Sequence, residues 1–133
     1  WLLRFELKAS RRLRELLVVH IAQQKAARYE LGHHSHMAHE EGLTEEQLQA
    51  LPRWRDSGLF TPDEQLVLQL GDELGRGGAA SAGTMEALRQ RFGEAQLMEI
   101  LVAGAYYCAV GQVVTSLDLD LEPGYEHLRA RND

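Results

Sequence analysis

The chain has 133 residues, a net charge of −6 and a pI near 5.5. That length suits one domain with a real core, residues 1–133. The acidic balance argues against a nucleic-acid or anionic-membrane binder, which needs clustered positive charge. Arg4, Lys8, Arg11, Arg12 and Arg14 crowd the start, and a solvated helix face is the preferred explanation over a binding patch. Cys108 is the one cysteine, so neither an intrachain disulfide nor a CxxC pair is available. With no secretory pattern at the start, a cytoplasmic protein is expected. The sequence begins at Trp1 rather than Met, from which a missing N-terminal segment is expected.

Helical periodicity runs through nearly the whole chain, and strand-like alternation is scarce. Trp1 to Lys8 is a helix fragment. Ser10 is placed to cap the next helix, which is apolar almost all round from Leu16 to Ala22 except at His20, as in a helix buried in a bundle. A turn near Lys25 leads into a second helix ending near Gly42. "GLTEEQLQAL" places Thr44 and Gln47 as a capping box, and "FTPDEQL" does the same with Thr61, Pro62 and Glu64. "PRWRDSG" between them is a loop or short turn, and "GRGGAASAG" from Gly75 to Gly83 a flexible linker. A short helix, roughly Thr84 to Arg91, precedes the last one, from about Glu94 to Leu117. Beyond Glu94, Glu99 is its only charge. Its length would fit a bilayer. The polar Gln96, Glu99, Gln112 and Thr115 favour a central bundle helix or a subunit interface, and no membrane association is expected. Gly104, Cys108 and Gly111 form a small-residue stripe for close helix approach, and "EPGY" is a closing turn. "GLTEEQLQAL" and "FGEAQLMEIL" echo one another, either as a duplicated helical hairpin or as two similar helix starts.

Residues Tyr29 to His39, "YELGHHSHMAH", carry four of six histidines. At 100° per residue, Ala27, Leu31, His34 and Ala38 share one stripe, with Glu30 one turn before His34. His33 and His36 fall on the polar face and His39 on the flank. His34 is therefore the histidine placed where the helix should bury itself. Glu15 is the same kind of exception on the preceding helix, in a stripe with Val18, Val19 and Ala22. If the two helices pack antiparallel, Glu15 approaches the Glu30–His34 pair. Such a cluster must hydrogen-bond and share protons, and its carboxylates keep the imidazole protonated. General acid/base chemistry uses this arrangement; a satisfied core histidine is the plainer alternative. Metal ligation by Glu30 with His34, or His36 with His39, lacks an evident third ligand, so no metal is expected.

With Arg14-Glu15-Leu16, Glu30, His34, Ala38, Gly42, Leu43, Thr44, Glu45 and Glu46 in this order, the chain resembles the carboxymuconolactone decarboxylase family, which includes the alkylhydroperoxidase D-like (AhpD-like) proteins. The tail "LMEILVAGAYYCAVGQVVTSLDLDLEPG" also looks like the family's final helix. The resemblance implies an all-α antiparallel helical bundle of about six helices, assembled as a homotrimer or hexamer. It also implies that Ala27 and Glu30 stand where redox members carry their two cysteines, with Glu15 and His34 at the family's glutamate and histidine. Without those thiols, a peroxidase cycle through that motif has no nucleophile. The decarboxylase branch also lacks the cysteines and delivers a proton to carbon as a lactone acid loses carbon dioxide. By that resemblance Glu15, Glu30 and His34 are the candidate catalytic groups, with no cofactor and a small organic acid or lactone as substrate. Tyr29, Tyr106 and Tyr107 are candidate pocket residues, packing being their alternative role. A non-catalytic oligomeric member that binds a ligand or metal is the second functional reading, and a thiol-dependent antioxidant enzyme the third.

Overall fold

The computed structural model describes residues 7–128. The proposed helix at Trp1 to Lys8 lies mostly outside them, and residues 7–10 are not helical. The described residues are all-α, with no strand among them.

Helix α1 (Arg11–Lys25) is the central strut. Leu16, Leu17, Val19 and Ile21 are fully buried, because α2, α5 and α6 all pack on it. Burying one such side chain is worth about 1.5–3 kcal/mol, so this helix anchors the core. Ser10 occupies the N-cap position, but its hydroxyl makes no capping bond. At the other end Ala26 adopts φ 51°, a left-handed conformation unusual for alanine, and Ala27 N–H closes back on the Ala22 carbonyl at 3.0 Å. This tight reversal sends α2 (Arg28–Glu40) back along α1. The two helices are antiparallel, since Ala22 lies near Ala27 while Glu15 reaches His34.

Gly42, at φ 83°, ends that arm. Both capping boxes form: Thr44 with Gln47 starts α3 (Glu45–Ala50), and Thr61 with Glu64 starts α5 (Pro62–Gly75). The intervening "PRWRDSG" is more ordered than a loop. It makes a 3₁₀ turn, Leu51–Arg53, and the short helix α4, Trp54–Ser57. Leu51 and Trp54 are buried there with Leu16, Val19 and Leu68, which explains why tertiary packing overrides the turn-like composition.

The Gly75–Gly83 linker shrinks to the short stretch between α5 and α6 (Ala82–Ser116). Glu73 fastens it, accepting bonds from Ser81 N–H at 2.7 Å and Thr84 Oγ1 at 2.7 Å. Gly93 interrupts α6 with φ 76° and ψ 169°. Before it the chain returns along α5, as Thr84 beside Glu73 and Arg91 beside Asp63 show. After it the helix runs parallel to α1, with Glu99 accepting from Ala9 N–H and Gly104 against Leu17. The two expected helices are therefore present, joined at one glycine. Gly42 and Gly93 share positive φ, while α3 stops after six residues and the helix after Gly93 continues to Ser116.

The small-residue stripe works as close packing. A Cβ on Gly104 would lie 2.7 Å from Leu74 Cδ1 and 3.3 Å from Leu17 Cδ2. By length and composition α6 is apolar enough to cross a membrane, with a third of its most apolar window buried in the fold. Met98, Val102, Tyr106, Val113 and Leu117 fall close to one stripe and are 47–64 % exposed. The basic start of α1 is spent internally: Arg12 bonds Glu64 at 2.9 Å, and Arg11 pairs with Glu41 at 3.1 Å.

Beyond α6 the chain straps across α2. Leu121 packs where a Gly32 side chain would stand, and Glu122 accepts from Tyr29 OH at 2.8 Å and pairs with His33 Nε2 at 3.1 Å. Arg28 bonds Asp118 at 2.8 Å.

Candidate functional site

The inward stripe of α2 and the acidic exception of α1 meet. His34 Nδ1 lies 2.7 Å from Glu15 Oε2, and His34 Nε2 lies 3.2 Å from Glu30 Oε2. All three groups are 8 % exposed or less. Both ring nitrogens face carboxylate oxygens, so only the imidazolium donates to both. Burial is the largest single influence on His34 and pushes its pKa down. The hydrogen bonds and negative charges of Glu15 and Glu30 together outweigh it, and hold the pKa above the ordinary histidine value. The arrangement favours an imidazolium that gives one N–H to each carboxylate, out of water.

Two neighbours complete the surroundings. The ring of Tyr107, from α6, meets His34 edge-on with centroids 4.7 Å apart. Arg11 Nε lies 3.9 Å from Glu15 Oε1, with its side chain half exposed, so a cation stands between the buried carboxylate and solvent. Sequence reasoning took Arg11 only as part of a solvated basic face, although its spacing four residues before Glu15 is the signal that would have paired them.

The three candidate tyrosines separate. Tyr107 touches His34, while Tyr106 packs edge-on to Tyr107 at 5.2 Å and is 52 % exposed. Tyr29 is turned to the C-terminal strap through Glu122, a bond that raises its phenol pKa. The histidines separate too. His36 and His39 are exposed as expected, but His33 is half-covered, held by Glu122 and flanked by the rings of Tyr29 and Tyr125. Among the described residues, no group of three or more His, Cys, Asp or Glu side chains is placed to hold a metal ion. Cys108 is half-buried, and burial raises its thiol pKa, the reverse of an activated nucleophile.

A second buried histidine went unassigned in the sequence. His20 Nε2 lies 2.7 Å from Asp72 Oδ1, and Asp72 also accepts from Trp54 Nε1 at 3.2 Å and from Arg55. Arg55 in turn lies over the Trp54 ring, 4.2 Å from its centroid. His20 and Asp72 are 52 residues apart, beyond any local spacing signal. The network ties α1 to α4 and α5.

No curated protein matches the chain. A solved structure from Agrobacterium tumefaciens, a protein of unknown function described as a putative antioxidant defence protein AhpD, superposes with a TM-score of 0.78. It covers 86 % of this chain and 80 % of its own, at 18 % identity, which shows a shared fold. The carboxymuconolactone decarboxylase family matches residues 2–73, a span that contains Glu15, Glu30 and His34. That span is more than half of the sequence, and the chain belongs to the carboxymuconolactone decarboxylase family.

Proposed function

We propose that the chain is a thiol-independent acid/base enzyme of this family, acting on a small organic acid or lactone. The supporting observation is His34, buried with a carboxylate at each ring nitrogen. In this reading one carboxylate takes a proton from carbon next to a carbonyl, or His34 delivers one to a carbanion left by decarboxylation. The other carboxylate keeps the imidazole oriented and charged, and Tyr107 shields it from water. By the family resemblance Ala27 and Glu30 stand where redox members carry cysteines, so alkylhydroperoxidase chemistry through that motif is not proposed. The apolar stripe on α6, Met98 to Leu117, supports a homo-oligomer, for which the family resemblance suggests a trimer or hexamer.

A second reading, a non-catalytic oligomeric binding member, draws on one specific observation: Glu15, Glu30 and His34 satisfy one another and are almost closed to solvent. Exchange of carbon-bound hydrogen with deuterated water, followed by NMR across a panel of lactones and 2-keto acids, separates the two. The enzyme reading expects exchange or decarboxylation of at least one panel member, lost in a folded His34→Ala variant. Turnover unchanged by that substitution refutes it.

A further inference from the structure

A wide cleft lies away from His34. It is a half-open cleft of about 1080 Å³, walled by α2, by α3 with its 3₁₀ turn, and by the C-terminal strap. Gly32, Ser35, His36 and His39 line it, on the face of α2 opposite Glu30 and His34. We propose that this cleft binds a small organic anion with an apolar or aromatic body, at a site separate from the buried Glu15–Glu30–His34 cluster.

The charge pattern carries the argument. Glu45 and Asp118 are the two carboxylates lining the cleft. Each is engaged by a lining cation or imidazole: Asp118 by Arg28 at 2.8 Å, Glu45 by His39 Nε2 at 3.1 Å. Arg53, exposed at the end of the 3₁₀ turn, lines the same cleft and has no ion pair among the described residues. Its guanidinium is therefore free to pair with a bound anion. The imidazoles of His36 and His127 add two more hydrogen-bonding groups, and neither bonds another group lining the cleft. Leu31, Leu48, Pro52 and Leu128 supply apolar wall. A guanidinium, imidazoles and apolar wall lining one cleft recognise a carboxylate attached to a hydrocarbon or ring. The cavity is large for a small ligand and open on one side, so the bound molecule keeps one face in water and the affinity depends on salt.

Benzoate is the probe, with benzamide as its neutral isostere. Binding to the intact protein is followed by NMR of the histidine ring protons and by calorimetry. Benzoate is expected to shift the resonances of His36, His39 and His127, and benzamide to bind about tenfold more weakly. Arg53→Gln is expected to weaken benzoate by about tenfold or more, with Arg53→Lys intermediate. Arg53 is exposed and makes no ion pair among the described residues, so both variants should fold. His34→Gln should leave benzoate binding unchanged, which keeps this site distinct from the proposed catalytic one. The proposal is overturned if benzoate does not bind at millimolar concentration, if Arg53→Gln binds it as well as the parent, or if the shifts are confined to His34.

Discussion

Removing one carboxylate at a time from His34 separates two bonds of unequal geometry. Glu15 sits at 2.7 Å from Nδ1, the short distance of a charge-assisted bond, whereas Glu30 sits at 3.2 Å from Nε2, at the long end of the hydrogen-bond range. Both are buried, so solvent screens neither strongly. The Arg11 contact to Glu15 is long and half exposed, and adds little. Glu15→Gln keeps size and an acceptor but removes the charge, at an expected cost of about 1.5–3 kcal/mol; Glu30→Gln should cost about 1 kcal/mol. The pH dependence follows from the raised pKa. Stabilisation by the imidazolium is fully present below the unfolded value of 6.5 and is lost as pH rises through the higher folded value. In Glu15→Gln the folded value falls, so that loss is smaller and is complete at lower pH. Urea unfolding from pH 5 to 9, with NMR titration of the His34 ring, measures both effects. A Glu30→Gln variant that costs more than Glu15→Gln, or a His34 titration indifferent to both, refutes the reasoning.

Gly104→Ala pushes a Cβ to 2.7 Å from Leu74, a strain of about 1–3 kcal/mol that should exceed the gain of about 1 kcal/mol in helix propensity. Gly111→Ala, on the same helix with its nearest neighbour at 3.4 Å, should be neutral or stabilising, so paired thermal melts isolate the packing effect. Thr61→Ala removes a capping box whose Glu64 also holds Arg12, and should cost about 2 kcal/mol; Thr44→Ala, in a more exposed box, about 1 kcal/mol or less by urea midpoint. His20 has a lowered pKa, so its contribution is present above 6.5 and lost as pH falls through the folded value. His20→Gln should therefore flatten the acid limb of the stability profile.

The helices were legible because local rules agreed with the packing. Thr44 and Thr61 formed their boxes, and the all-apolar run from Leu16 to Ala22 became the buried strut. Leu51 and Trp54 were missed because their helical turns depend on a core assembled from Leu16, Val19 and Leu68, which proline and glycine neighbours do not announce. At the site, period 3.6 was enough to turn Glu30 and His34 inward, and the antiparallel return through Ala26 supplied Glu15. The partner of Tyr29 and His33 was not legible for one reason: the strap that carries Glu122 comes from 89 or more residues away, and no local spacing encodes it.

The two buried histidines show why only one of them is a candidate for proton transfer. His20 and His34 are 3 % and 7 % exposed, and each has a carboxylate oxygen 2.7 Å from a ring nitrogen. Their pKa values nevertheless move in opposite directions. The difference is what else each carboxylate does and what the second nitrogen meets. Asp72 divides its charge among His20, Trp54 and Arg55, and the Arg55 charge itself disfavours a second cation nearby. His20 Nδ1 is buried without a hydrogen-bond partner, which a neutral ring tolerates and an imidazolium does not. Desolvation therefore wins at His20, and the ring is a neutral brace between α1 and α5. At His34 the second nitrogen meets a second carboxylate, so the carboxylates outweigh desolvation and the protonated ring is favoured. A group that holds a proton out of water, with an acceptor on either side to take it, is the one suited to exchange protons with carbon.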